Sequence, residues 1–450
     1  MLKPGSRRWI VAVMASSAGL AGACTPDVGS DPIPTAMELD LTATPPRAPQ
    51  PTALIINPQT GHIDFRLAGT PLPDDCSAQQ ALTEAQCQFD QWLQTLNGFP
   101  TVTPATAPAS GPLDPATLTL GANVVAVAAK QGALATDLAV SFDDASSSLT
   151  LMPLHGWDLG EFYWVGVRGY DSGVHDTGGR PVVGSPTMAL LKQDDSLTCG
   201  ATDPAAVDPN CPTYRVLNQG MPSPAAAEQL LRLEGIRMAF ITGHGFDVMA
   251  VAGLPKDQIA VLWGFPIHTN SVPVLVPSAG AVPLVPAANQ ILVGVQGPVD
   301  PATVSAFSAA AGQPGPVVVV DLTALATGDL AAAFPPVIAA YAAPAIAIQA
   351  SQPFPAGHQI GLFFTNAIHS PDAAPLVASP VSVLLTLTAP LVDAGGHSTV
   401  SGVADAEAGA LEAGRAALSS LFDSPTFTPT TGVSRANVIY AYAFIPMVQP

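Results

Sequence analysis

Apolar residues in this chain come in short runs of β-branched and aromatic side chains, each closed by Gly, Pro or Asp, a pattern that predicts strands. The clearest runs are ANVVAV (122–127), SLTLMP (148–153), EFYWVGV (161–167), QIAVLWGF (258–265), PVVVV (316–320) and NVIYAYAF (437–444). In SLTLMP the alternation puts Leu149 and Leu151 on one face. In EFYWVGV, Phe162 and Trp164 lie opposite Tyr163 and Val165, so both faces of that strand are expected to be covered. Helical spacing is rarer. Leu82, Phe89, Leu93 and Leu96 recur along residues 81–97, and Ala-rich stretches at 223–240 and 402–422 read as helices. The first of these begins with Ser223 as cap and Pro224 in its first turn, has Glu228 four residues before Arg232, and is expected to pack across the end of its β-unit. Residues 53–58 (ALIINP) read as a strand and Gly61 as a turn. Residues 25–52, rich in Pro, Thr and Asp without a sustained period, read as an extended, disordered tether.

These runs occur twice in the same order. GPLDPATL (111–118) returns as GPVDPATV (297–304), each followed by a β-branched run, and SPTMALL (185–191) matches SPVSVLL (379–385). Each copy then has its Ala-rich helix and an apolar closing strand, and order and spacing persist over some 150 residues. Two copies of one structural unit are therefore predicted. Short strands bounded by turn residues within each copy point to an antiparallel sandwich. The expected fold class is mainly β, with two tandem sandwich units, each followed by a helix and a closing strand. The implied boundaries are a signal at 1–23, a tether at 24–52, a small capping region at 53–100, and units at 101–270 and 285–450.

The first copy, from GPLDPATLTLGANVVAV to the hairpin GYDSGVHDTGGRPVV, resembles bacterial Ig-like domains. The residues that carry the likeness are Leu113, Asp114, Pro115, Thr117, Asn123 and Val124, then Gly173, Val174, Asp176, Gly179 and Pro181. The second copy keeps Val299, Asp300, Pro301 and Thr303, but its hairpin NAIHSPDAAPLV has no glycines. The series of NGFPT (97–101), Ig-like unit, helix and closing strand is also similar to the amino-terminal region of bacterial extracellular lipases and phospholipases of the virulence type. In those enzymes a hydrolase domain follows, whereas this sequence ends at Pro450 with the second unit.

Charge and cysteines change the picture at the amino terminus. Lys3, Arg7 and Arg8 precede an apolar, small-residue stretch (9–23), the layout of an export signal, shorter than the about 20 residues a membrane-spanning helix needs. Ala21-Gly22-Ala23-Cys24 resembles the bacterial lipobox, with Ala21 where that motif prefers Leu. The resemblance implies lipidation of Cys24 after cleavage; the other reading is an ordinary signal that leaves Cys24 a spare thiol. Cleavage there removes three basic residues and no acidic one, taking the net charge from −19 to −22. Residues 257–414 contain no Lys or Arg. Such a surface repels phosphate backbones, so nucleic-acid binding is excluded as a function class, and membrane attachment depends on the lipid. An envelope lipoprotein is expected, in the outer membrane rather than the inner because Thr25 and not Asp follows Cys24, with secretion as the alternative. The remaining cysteines form two local pairs, Cys76 with Cys87 and Cys199 with Cys211, expected as disulfides in an oxidising compartment. Metal binding is the competing use, but neither pair has zinc-motif spacing.

Candidate chemistry is sparse. The sequence has no G-x-S-x-G, HExxH, P-loop or dinucleotide fingerprint, and no cofactor is implied. Asp171, His175 and Asp176 share one loop; Asp171 and Asp176 offer oxygen ligands for calcium, against the plainer reading of a hairpin turn. TGHGFD (242–247) reads as a loop. Trp157, Phe162, Tyr163, Trp164 and Tyr170 are either core or a platform for a carbohydrate or partner. The expected function is a lipid-anchored, non-catalytic structural or interaction module, with a protein or polysaccharide partner. The alternative is a lipase- or esterase-related enzyme, or an accessory protein of a separate hydrolase.

Overall fold

The computed structural model describes residues 34–40, 46–68, 71–78, 83–217, 223–274, 284–286 and 289–447. The signal, the lipobox and Cys24 lie outside the described residues. From Thr35 onward the described residues belong to one compact unit.

The first half begins with β1 (Ala36–Met37) and α1 (Glu84–Leu93), then runs through β2 (Ala105–Pro108), β3 (Val124–Ala128), β4 (Ala133–Leu134), β5 (Leu138–Asp143), β6 (Ser148–Pro153), β7 (Phe162–Arg168), β8 (Val183–Gly184), α2 (Pro186–Leu191), α3 (Pro224–Thr242), α4 (Gly245–Val251) and β9 (Ile259–Pro266). Two antiparallel sheets, β2-β6-β5 and β4-β3-β7-β9, face each other. Between them Ala107, Leu149 and Leu151 pack against Val124, Val165 and Phe265. The alternation of EFYWVGV is realised: Tyr163 and Val165 point into this core, while Phe162 and Trp164 point out under a layer of helices. There Met188 of α2, Ile236 and Phe240 of α3, and Phe246 and Met249 of α4 meet Val125, Val127 and Leu262. Helix α3 thus lies on the outer face of the sheet, not across its end. The reason is that β3 is buried throughout and β7 and β9 at every position but their ends, so their second apolar face needs a cover.

The second half repeats the plan with β10 (Val272–Pro273), β11 (Leu284–Pro286), β12 (Gln290–Gln296), β13 (Val317–Asp321), α5 (Leu322–Ala326), α6 (Leu330–Ala333), β14 (Val337–Ala342), β15 (Ala345–Ala350), β16 (Ile360–Thr365), α7 (Pro380–Thr386), α8 (Asp405–Phe422), α9 (Phe427–Thr431) and β17 (Val438–Met447). Sheet β10-β12-β15-β14 faces β11-β17-β16-β13 across Val293, Ile346, Ile348, Leu362, Phe364 and Tyr440. Phe422 and Phe427 cover the outer side through Val318, Val320 and Phe363. The order β3-β7-β9 corresponds to β13-β16-β17, and β2-β6-β5 to β12-β15-β14. Because each half carries a helical layer, helix (28%) slightly exceeds strand (27%), so the mainly-β expectation holds only in part: the fold is mixed and built on antiparallel sheets.

The duplicated opening has a local cause. Asp114 and Asp300 each cap a one-turn 3-10 helix, their Oδ1 accepting from Ala116 N (3.0 Å) and Ala302 N (2.9 Å). Their own amides donate to His175 O (2.9 Å) and His369 O (2.8 Å), tying each opening to its hairpin. The second hairpin keeps the turn without glycine: Ala373 (φ +64) takes the left-handed position that Gly179 (φ +77) holds in the first.

Two expectations near the amino terminus are revised. Residues 35–40 are docked rather than tethered: Met37 and Leu39 are buried, and β1 pairs in parallel with β8. ALIINP forms a 3-10 turn (Ala53–Ile55) and a single bridge from Ile56 to Ile63, closed by Gly61 (φ +74). Helix α1, capped by Thr83, buries Ala85 against Val383, Leu384 and Leu387 of the second half. Ile55 and Ile63 join the first core, so residues 53–100 touch both halves.

Candidate functional site

Both predicted cysteine pairs are bridged, with Cα–Cα distances of 5.6 Å for Cys76–Cys87 and 5.9 Å for Cys199–Cys211. The second closes a loop whose Val207 and Cys211, together with Leu197 just before it, pack on Leu230 and Leu233 of α3.

The Asp171–Asp176 loop is a turn. Asp176 Oδ1 accepts from Gly178 N (2.9 Å) and Arg180 N (3.0 Å), and Oδ2 from Arg180 Nε (2.8 Å). Burial opposes its ionisation, but the amides and the Arg180 guanidinium outweigh it and hold the carboxyl below the usual range. Its oxygens are thereby committed, and Asp171 is exposed one turn away. Among the described residues no group of three or more His, Cys, Asp or Glu side chains could hold a metal ion. The loop read at TGHGFD shrinks to Gly243 and His244, because Thr242 ends α3 and Gly245, Phe246 and Asp247 open α4; a Cβ on Gly243 or Gly245 would come within 2.9 or 3.0 Å of the Trp164 ring. The aromatics went to the core, with Trp157, Tyr163 and Trp164 buried and only Phe162 and Tyr170 partly accessible.

A set of polar residues, partly buried, lies around the junction between the two sandwiches. The NGFPT segment supplies one side. Asn97 exchanges two hydrogen bonds with Thr269, donating to its Oγ1 (2.8 Å) and accepting from its N–H (3.0 Å). Gly98 is required there, since a Cβ would sit 2.6 Å from His268 N. Thr101 Oγ1 donates to Gln296 Oε1 (3.0 Å), and Gln296 Nε2 donates to Trp157 O (3.2 Å). Ser271 Oγ donates to Pro298 O (2.7 Å), while Ser271 O accepts from Val377 N (3.0 Å). His268 is 2% exposed, and burial pushes its pKa down to about 4, so its ring is neutral near pH 7. These groups join strands; the Ser271 proton is engaged with a carbonyl, which suits a fixed seam and not a nucleophile.

A His–Asp pair of the kind found beside nucleophiles occurs elsewhere. His358 Nδ1 lies 2.7 Å from Asp321 Oδ2, and Asp321 Oδ1 caps α5 through Ala324 N (2.9 Å). Among the described residues no serine, threonine or cysteine side chain is hydrogen-bonded to that ring, so the pair serves the cap.

One constellation went unread in the sequence and recurs in both halves. Arg237 on α3 binds Glu234 through Nε (2.8 Å) and Nη2 (2.8 Å), and its Nη1 reaches Gln193 O (3.3 Å) and Asp194 O (3.2 Å) beyond α2. Arg415 on α8 binds Glu412 in the same way (2.9 and 2.8 Å) and reaches Leu387 O (3.2 Å) and Thr388 O (3.0 Å) beyond α7. Each glutamate accepts one further amide, Leu197 N (2.9 Å) or Leu391 N (2.8 Å). The signal was LEGIR (233–237) against LEAGR (411–415) at equivalent places in the duplicate. Each clamp fastens its long helix to the short helix before it; the segment leading into the Cys199–Cys211 loop in one half and the start of hairpin 391–400 in the other deliver the same amide.

No family model matches the chain, and no curated protein is similar to it in sequence. Among solved structures, the S-layer protein rSbsC(31-844) aligns at 19% identity over 18% of this chain and 11% of that one, with a TM-score of 0.14.

Proposed function

We propose that this chain is a lipid-anchored protein of the bacterial cell envelope that presents two Ig-like units as a non-catalytic structural or interaction module. The observation that carries this reading is the repeated clamp: both halves use a buried arginine and its part-buried glutamate, Arg237 with Glu234 and Arg415 with Glu412, to fasten a long helix to the short helix before it. Gln296 does the same between the halves, since its side chain on β12 accepts from Thr101 and donates to the Trp157 carbonyl of the first sandwich. A rigid two-unit body behind a lipid on Cys24 suits display of a surface to a protein or polysaccharide partner. The acidic balance excludes nucleic acid as that partner.

The test combines turnover with capture. Full-length protein is incubated with short-chain esters, with and without a serine-directed inhibitor, and intact envelopes are mildly crosslinked. The reading expects no inhibitor-sensitive turnover and a discrete crosslinked partner. Inhibitor-sensitive hydrolysis would replace it with the lipase- or esterase-class reading.

A further inference from the structure

Sheet β10-β12-β15-β14 ends in a free edge that is chemically unlike the rest of the molecule. Its outer face is a grid of Leu292, Ala347 and Ala340 in one row and Gln290, Gln349 and Ile338 in the next, with Leu292 64% and Ile338 72% exposed. The chain has a net charge of −19, yet it contains no Asp, Glu, Lys or Arg between Asp329 and Asp372.

The hydrogen-bond parity of the edge follows from its neighbours. Ser351 N donates to Pro336 O (3.2 Å), and on the far side of β15 Ala350 N donates to Asn289 O (2.7 Å) and Val295 N to Pro344 O (2.8 Å). With Ile338 opposite Gln349, Ala340 opposite Ala347 and Ala342 opposite Ala345, these three β14 residues bond to β15. Val337, Ala339 and Tyr341 therefore aim their N–H and C=O groups outward, and among the described residues nothing pairs with them.

The duplication supplies an internal comparison. Strand β5 is the corresponding edge of the first sandwich, and it is bounded by Asp137, Asp143 and Asp144. Charge of that kind blocks edge-to-edge pairing. Strand β14 lacks it. It is limited instead by Pro335 and Pro336 before it and Pro344 after it, which confine pairing to residues 337–342 without preventing it.

We propose that β14 pairs antiparallel with β14 of a second copy of this chain, Ala339 against Ala339, merging two sheets across a two-fold axis. In this register Val337 of each copy exchanges backbone hydrogen bonds with Tyr341 of the other, and Ile338 lies beside Ala340, so large side chains meet small ones along the seam. Self-pairing is favoured over a charged partner because like-charged copies repel everywhere except at a neutral surface, and this edge is neutral. The two-fold consumes both edges and closes the assembly as a dimer. One strand edge of about 20 Å is a small contact, which places the dimer in the weak class with micromolar dissociation. The inference does not depend on the lipid or on where the chain resides.

Sedimentation velocity on the full chain carrying Cys24→Ser, which prevents lipid-driven association, tests it over about 1–100 μM. A monomer–dimer equilibrium is expected, with Ala340→Lys weakening it at least about tenfold and Ser141→Lys on β5 leaving it unchanged. Amide exchange on the protein without edge substitutions is a second readout: the Val337, Ala339 and Tyr341 amides should slow as concentration rises. A monomer throughout the range, a dimer indifferent to Ala340→Lys, or exchange at those amides independent of concentration would each overturn the proposal.

Discussion

Replacing Arg415 by Met removes a guanidinium that is 7% exposed and bonded to both oxygens of Glu412 and to the carbonyls of Leu387 and Thr388. The glutamate keeps only the Leu391 amide, and two carbonyls lose their donor. Breaking a buried pair in this way costs about 3–5 kcal/mol, because one charge stays behind uncompensated. For the compact unit that begins at Thr35, that corresponds to a fall of about 3–6 °C in the thermal midpoint. Glu412→Leu should cost a similar amount. The double variant Arg415→Met/Glu412→Leu leaves no orphaned charge, only unpaired backbone groups at about 1 kcal/mol each, so it should cost less than the sum of the singles by at least about 1 kcal/mol. Calorimetric unfolding of the four proteins measures this. The Arg415 guanidinium also holds the Glu412 carboxyl below its usual range. Its contribution is therefore present above the unfolded carboxylate pKa of about 4.3 and is lost as pH falls through the lower folded value. Additive singles, each costing under about 1 kcal/mol as exposed ion pairs do, would refute the assignment of the pair as a buried clamp.

Further predictions rest on other parts of the fold. Gly245→Val should cost about 1–3 kcal/mol by overpacking against Trp164, read from thermal unfolding and from altered tryptophan emission. Reduction of Cys199–Cys211, or its replacement by serines, should cost about 3 kcal/mol, seen as a lower urea midpoint. Two buried groups oppose each other in acid. His268, lowered to about 4, contributes stability that is lost as pH falls from about 6.5 to 4; Asp90, which burial raises to about 6 against the Gln86 hydrogen bond, contributes stability that is lost as pH rises from about 4 to 6. The two slopes cancel between about pH 4 and 6. Relative to the parent, His268→Gln should therefore fall in stability as pH rises through that window and Asp90→Asn should gain, by about 1.4 kcal/mol per unit in urea titrations.

The elements with strong local signals were readable from residues alone. ANVVAV and PVVVV became β3 and β13, and the Asp114 and Asp300 openings are the same cap because the same short-range hydrogen bonds form in each. Ser223 and Pro224 start α3 as their positions imply, but Glu228 and Arg232 form no salt bridge among the described residues. What could not be read was long-range. Helix α1 packs against α7 and α8, some 300 residues away, which no periodicity in residues 81–97 records. Glu234–Arg237 and Glu412–Arg415 have the spacing of ordinary solvated helix pairs, and only their tertiary burial makes them clamps. Met37 and Leu39 sit among prolines and threonines, where isolated apolar residues carry no pattern, yet both are buried.

The lipid anchor is the central claim, and intact mass spectrometry of the protein from detergent-extracted envelopes tests it most directly, beside a Cys24→Ser variant. The predicted result is a chain beginning at Cys24 with a diacylglyceryl addition that the variant lacks, gaining about 4 Da on reduction of its two bridges. A soluble chain with an unmodified Cys24 thiol would contradict it and return the secreted alternative.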